Sequence, residues 1–134
     1  MMTQSTKTQD ILKCNTPYGN ISQGTQKKIV FVCSVGMLRS PTAATIGSQL
    51  GLNTRSCGSS RLALIPLSAN LIRWADWIVF MNSENYRESN KTFQETEFQD
   101  DLEDKSLVWN VPDIYNYMDD GLVYILETQI KELV

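Results

Sequence analysis

The chain has 134 residues and no histidine. That absence removes whole classes of chemistry: Ser-His-Asp and Cys-His hydrolases need an imidazole base, and the usual zinc sites draw on histidine ligands. Positive charge is short as well. Twelve Lys and Arg against fifteen Asp and Glu leave a net charge of -3, so there is no basic field to attract nucleic acid. No apolar run approaches the ~20 residues of a membrane-spanning helix, and the N-terminus lacks the basic-then-apolar order of a secretory signal. Cysteine is scarce: Cys14, Cys33 and Cys57 are odd in number and widely spaced, which makes neither a disulfide framework nor a zinc site. The expectation is a cytoplasmic monomer with no metal, membrane or nucleic-acid partner. In that compartment the sequons Asn20-Ile21-Ser22 and Asn90-Lys91-Thr92 arise by chance. The acidic cluster Asp100, Asp101, Glu103, Asp104 lacks the alternating spacing and turn glycine of a calcium loop and reads as a solvated face.

What is present is concentrated between Val30 and Ala43. An apolar, β-branched run, Ile29 to Val32, has the composition of a buried strand and ends in Cys33. Arg39, Ser40 and Pro41 follow after five intervening residues. Pro41 suits the first turn of a helix, where its missing N–H costs nothing. Thr42 to Leu50 then reads as helix, with Gly51 as its stop. Cys33 to Ser40 is therefore a strand-to-helix loop. The N–H groups of Ser34, Val35, Gly36, Met37, Leu38 and Arg39 can surround a dianion there, with the helix N-terminus adding positive partial charge.

In that setting each polar residue has a task. A helix N-terminus favours the thiolate form of a cysteine, so Cys33 can act as a nucleophile without a basic partner. Arg39 offers a planar fork for two phosphate oxygens, which lysine cannot copy. Ser40 can donate a hydrogen bond to the Cys33 sulfur. Gly36 can take up positive φ where the loop needs it. The implied reaction is transfer of a phosphoryl group from a monoester to Cys33 and then to water.

Further along, residues 1–27 are polar and read as a tail or arm, leaving 28–134 as a single domain. Asn53 to Cys57 is a second strand, closing at Gly58. Leu67 to Ala75 is helical. Trp77 to Met81 is a continuous apolar strand covered on both faces. Ser83 to Glu88 is a short helix capped by Ser83, and Glu88 to Lys105 is a polar surface excursion. Ser106 to Trp109 is a fourth strand. Asp119 to Val134 is a final helix with Leu122, Ile125, Leu126, Ile130 and Leu133 as its apolar stripe. Strands alternating with helices give an α/β fold: a four-stranded parallel sheet with helices on both faces, and the Cys33 loop between strand 1 and helix 1. Ligands bind such sheets at the carboxyl ends of the strands.

A phosphoryl transfer to sulfur also needs a proton for the departing oxygen. Asp113, just past the fourth strand in Trp109-Asn110-Val111-Pro112-Asp113, should open at the same sheet edge as Cys33. Asp119 and Asp120 are rivals, but they read as N-terminal residues of the last helix, where acids are favoured. Tyr115 and Tyr117 flank the Asp113 loop and would wall a cleft suited to a phenyl ester.

Cys33-x5-Arg39-Ser40-Pro41, Ser56-Cys57-Gly58, Ala75-Asp76-Trp77-Ile78 and Trp109-x3-Asp113, in this order, resemble the low-molecular-weight protein tyrosine phosphatases. Val111-Pro112-Asp113-Ile114-Tyr115-x-Tyr117-Met118-Asp119 is similar to a compact bacterial and phage-type branch of them. The resemblance spans roughly Lys28 to Val134. It implies a phosphocysteine intermediate, no metal or cofactor, and phosphotyrosine in a protein, or an aryl phosphate, as substrate. Three positions depart from the family pattern. Val35-Gly36 stands where Gly-Asn is usual, so Gly36 lacks the side-chain hydrogen bonds that brace the loop. Leu38 replaces a second cysteine that serves as redox partner; Cys57 is the residue that would have to substitute. Asp113 is followed by Ile114 rather than proline. An arsenate reductase shares this fold and loop but relays a disulfide through extra cysteines, for which only Cys57 and Cys14 are available. A phosphate- or phosphopeptide-binding module with weak catalysis is the reading from a different class.

Overall fold

A computed structural model describes Gly24 and residues 26–133. Most of the expected arm at 1–27 lies outside the described residues, as does Cys14. Its last two residues are described: Gln26 and Lys27 offer carbonyls to the Asn53 side chain and backbone N–H. No helix among the described residues is long and apolar enough to cross a membrane.

Four strands form one parallel sheet: β1 (Lys28–Cys33), β2 (Asn53–Gly58), β3 (Trp77–Phe80) and β4 (Ser106–Val108), in the order β2-β1-β3-β4. β1 is the hinge of this order. The chain leaves it first toward β2 on one side and later returns to β3 on the other, all in parallel register. The crevice beyond the carboxyl end of such a strand is where open α/β sheets take their ligands, and Cys33 ends β1.

Alternation along the strands sorts the core into two layers. Ile29, Phe31, Cys33, Val79 and Met81 face one side, packed by Ala43, Ala44 and Ile46 of α1 (Arg39–Gln49) and by Leu122, Leu126 and Ile130 of α5 (Asp120–Lys131). Val30, Val32, Cys57, Ile78 and Phe80 face the other. There they meet α2 (Ala69–Trp74) through Leu71 and Ile72, and α4 (Gln99–Lys105) through Leu102, with Tyr86 of α3 (Ser83–Thr92) packed alongside. Helices thus cover both faces, as the period-2 and period-3.6 patterns require.

The boundaries differ from expectation in instructive places. α1 begins at Arg39, three residues before the expected Thr42, so Arg39 and Ser40 belong to its first turn. Gly51 ends it as expected, with φ +92° just past the C-cap. α3 is capped by Asn82, whose Oδ1 accepts from Asn85 N–H at 3.0 Å, rather than by Ser83, and it runs on to Thr92. The stretch expected as a surface excursion contains α4. That helix has a single apolar residue, Leu102, but Leu102 is fully buried in the core layer against which Phe93 and Phe98 also pack. The acidic cluster rides on its outer face. Asp119 is the N-cap of α5, accepting from Gly121 N–H at 3.0 Å, so helix capping accounts for it.

Candidate active site

The segment from Cys33 to Ser40 turns back on itself between β1 and α1. Gly36 lies at its apex with φ +76°, a region that disfavours any side chain. Space forbids one too: a Cβ there would lie 2.8 Å from the Cys57 carbonyl carbon. The loop is therefore braced without the asparagine that the family resemblance leads one to expect. Gly36 packs directly on the Cys57–Gly58 peptide. The β2 end also ties the loop down, with Ser59 N–H donating to Cys33 C=O at 2.8 Å and Ser60 N–H to Ser34 C=O at 2.9 Å.

The Cys33 thiol is 3% exposed. Gly36 N–H donates to its sulfur at 3.2 Å, and Ser40 Oγ sits 3.1 Å from it. Ser40 Oγ also lies 3.1 Å from the Cys57 carbonyl, to which it donates. A hydroxyl has one proton, so Ser40 can serve either the carbonyl or the sulfur by rotating about one bond. The N–H groups of Val35, Met37, Leu38 and Arg39 have no backbone partner among the described residues, and Leu38 provides no side-chain cap to α1. A loop of free donors at an uncapped helix N-terminus is a ready anion site.

Arg39 is 1% exposed, the largest fully buried side chain in the protein among the described residues. A guanidinium in that position needs partners. Nη1 donates to the Val111 carbonyl at 2.9 Å. Nη2 and Nε form the other edge of the group, and both contacts on that edge are long: Ser34 Oγ at 3.5 Å and Asp113 Oδ1 at 3.5 Å. The anchored edge fixes the plane, while the loosely held edge is the one a phosphate oxygen pair would take.

Asp113 arrives there because the chain prolongs the sheet past β4. Trp109 N–H donates to Phe80 C=O and Val111 N–H to Met81 C=O, each at 2.8 Å. Val111 is buried, Pro112 follows, and the Asp113 carboxylate stays 60% exposed. Tyr115 packs into the α1/α5 core layer and against Gly121. Tyr117 places its hydroxyl 3.1 Å from Thr45 Oγ1. Both rings, each half-buried, anchor the 111–119 segment to α1 and α5. Val35, Met37 and Leu38 of the loop carry exposed apolar side chains, and so does Ile114, next to Asp113.

Cys57 is buried in the layer opposite Cys33. Burial first, and Cys33 nearby second, push its thiol well above the ordinary value.

One cluster carried no signal in the sequence. Asn85 of α3 is 1% exposed and donates through Nδ2 to Ser34 Oγ at 3.1 Å and Ser59 Oγ at 3.3 Å. Ser59 in turn donates to Glu88 Oε1 at 2.5 Å. Small polar residues 51 positions apart have no periodicity to betray them. Asn85 and Ser89, four apart, form the buried face of an otherwise polar helix, a face only the structure shows.

With loop, fork and carboxylate at one sheet edge, the architecture is that of the low-molecular-weight protein tyrosine phosphatases, shared at the level of the fold. A structure of such a phosphatase from Streptococcus pyogenes superimposes with a TM-score of 0.65 at 16% identity, covering 81% of this chain and 91% of that one. The tyrosine phosphatase Wzb from Escherichia coli K30 gives 0.62 at 16% identity, over 81% and 96% of the two chains. The YwlE arginine phosphatase from Geobacillus stearothermophilus gives 0.60 at 21% identity, over 80% and 90%. The chain matches no protein-family profile and no curated protein sequence.

Proposed function

We propose that this protein is a cysteine-dependent phosphomonoesterase whose substrate is phosphotyrosine in a protein or a related aryl phosphate. The observation that carries the reading is the Cys33 sulfur, held by Gly36 N–H and Ser40 Oγ beside the open edge of the buried Arg39 fork.

In this mechanism Arg39 and the free loop N–H groups hold the non-bridging oxygens, and the Cys33 thiolate attacks phosphorus. As the ester P–O bond breaks, Asp113 gives its proton to the leaving oxygen. The phosphocysteine then meets a water whose proton Asp113 takes back. The S–P bond breaks, and Ser40 rotates from the Cys57 carbonyl to donate to the departing sulfur. Inorganic phosphate leaves, and the thiolate is restored. The preference for an aryl ester rests on the apolar groups Val35, Met37, Leu38 and Ile114 around the loop, which suit a phenyl ring. The arginine phosphatase among the similar folds makes phosphoarginine the comparison substrate. Arsenate reduction would need a relay thiol; Cys57 suits that role poorly, because it lies in the opposite layer with its thiol held protonated.

The decisive test is hydrolysis of para-nitrophenyl phosphate, with vanadate as inhibitor, alongside phosphotyrosine and phosphoarginine peptides and an arsenate-reduction assay with thioredoxin. Cys33→Ser should abolish turnover and keep vanadate binding. Near-normal activity in that variant would sink the mechanism. Faster release of phosphate from phosphoarginine than from phosphotyrosine would move the substrate assignment.

A further inference from the structure

We infer that the Ser34 hydroxyl is an additional donor to the bound phosphoryl group, and that Asn85 is the positioning residue that aims it. This rests on the phosphatase reading of the site. The directions of the hydrogen bonds carry it. Ser59 has one proton and gives it to the Glu88 carboxylate at 2.5 Å, so toward Asn85 it can only accept. That assigns Nδ2 of Asn85 to the side facing Ser59 and Ser34, with Oδ1 left buried and without a partner among the described residues. Ser34 Oγ therefore accepts from Asn85 Nδ2 at 3.1 Å. Its second neighbour, Arg39 Nη2 at 3.5 Å, is also a donor and nothing else.

Both neighbours of Ser34 Oγ thus occupy its lone pairs, and neither can take its proton. The Ser34 hydroxyl has no acceptor among the described residues. It sits at the end of the fork edge left loosely held, the edge on which a phosphoryl oxygen would rest beside Nη2. An anion arriving there supplies the missing acceptor. The hydrogen bonds diverge from Asn85: one Nδ2 proton goes to Ser59, which gives its own to Glu88, and the other goes to Ser34, so the Ser34 proton is left for the anion site before any ligand binds. Such preorganisation strengthens as charge accumulates on the non-bridging oxygens. Asn85 is itself held in place, since its backbone N–H is the one that the Asn82 cap accepts.

The test measures inorganic phosphate and vanadate affinity together with para-nitrophenyl phosphate kinetics for the wild type, Ser34→Ala, Ser34→Thr, Asn85→Ala and the Ser34→Ala/Asn85→Ala pair. A charge-assisted hydrogen bond corresponds to about tenfold in affinity or rate. Ser34→Ala should therefore weaken vanadate binding and lower kcat by about tenfold, and Ser34→Thr should restore most of both. Asn85→Ala should cost several-fold in the wild-type background but less than about twofold once Ser34 is alanine. Ser34→Ala within about twofold of wild type would overturn the proposal, as would Asn85→Ala losses that simply add to it. Ser34 is only half-buried, so Ser34→Ala remains informative even if Asn85→Ala fails to fold. A wild-type protein that binds neither phosphate nor vanadate would overturn the phosphatase reading itself. A wild type that binds both, with Ser34→Ala unchanged, would overturn only the role given to Ser34.

Discussion

Arg39 Nε stands 3.5 Å from Asp113 Oδ1, joining a guanidinium side chain 2% exposed to a carboxylate 60% exposed. An ion pair with one partner so well solvated contributes at most about 1 kcal/mol to the fold. Its value is positional: the Asp113 carboxylate is held beside the fork while staying open to water, as the proposed general acid requires. Asp113→Asn should leave stability nearly unchanged while lowering kcat by about 10²-fold or more for phenyl phosphate, the range for loss of a general acid. The loss should be smaller for para-nitrophenyl phosphate, whose leaving group needs less protonation. Equal losses for the two esters would assign the acid elsewhere.

Arg39→Lys keeps the charge and removes the fork. Lysine cannot bond the Val111 carbonyl and present a bidentate edge at the same time. The expected outcome is a drop of about 10²-fold or more in kcat/KM and weaker phosphate binding. A lower Tm should follow, because the buried Val111 carbonyl loses its 2.9 Å partner. Thermal unfolding and steady-state kinetics on one preparation would check both.

Gly36→Asn would restore the residue usual in the family the sequence resembles, and here it should damage the site. The added Cβ would meet the Cys57 carbonyl carbon at 2.8 Å, so loop and β2 end would have to part. We expect at least a tenfold loss of kcat and about 1–3 kcal/mol of stability, the range for overpacking. Normal activity in Gly36→Asn would mean that the loop yields more easily than its packing indicates.

Cys57 makes stability depend on alkaline pH. Its folded thiol is pushed above its ordinary value of 9.0. Once pH exceeds 9.0, the unfolded chain loses this proton and the folded chain keeps it. The unfolded state then binds fewer protons, so stability falls as pH rises. The contribution is fully present below the unfolded value and fades above it, at up to about 1.4 kcal/mol per pH unit. Denaturant unfolding between pH 8 and 10.5 should show this slope in the wild type and a flatter one in Cys57→Ala.

The sheet, its order of strands and helices, and the loop between Cys33 and Ser40 were legible because each rests on a local pattern. Apolar runs rich in β-branched residues mark β1 and β3, and a glycine marks the end of α1. α4 was not legible, since Gln99–Lys105 carries one apolar residue, Leu102, whose burial in the core layer is a tertiary fact. The start of α1 was missed because Arg39 and Ser40 read as loop chemistry, although they also form a helical turn. The bracing of the loop lay beyond any spacing argument. It comes from the Cys57–Gly58 peptide and from Asn85, both brought to the loop by the sheet rather than by the local sequence.

The strand order β2-β1-β3-β4 has a consequence for how activity reports on the chain. The proposed anion cradle draws Cys33 to Ser40 from the β1–β2 crossover, Cys57 from the end of β2, Ser59 and Asn85 from the β2–β3 and β3–β4 crossovers, and Val111 to Asp113 from the segment after β4. Nothing shorter than the assembled sheet contains it. On the proposed phosphatase function, turnover should therefore be an all-or-none reporter of folding: in a urea titration, turnover and helical circular dichroism should vanish along one curve, and no partially folded species should retain a fraction of the rate.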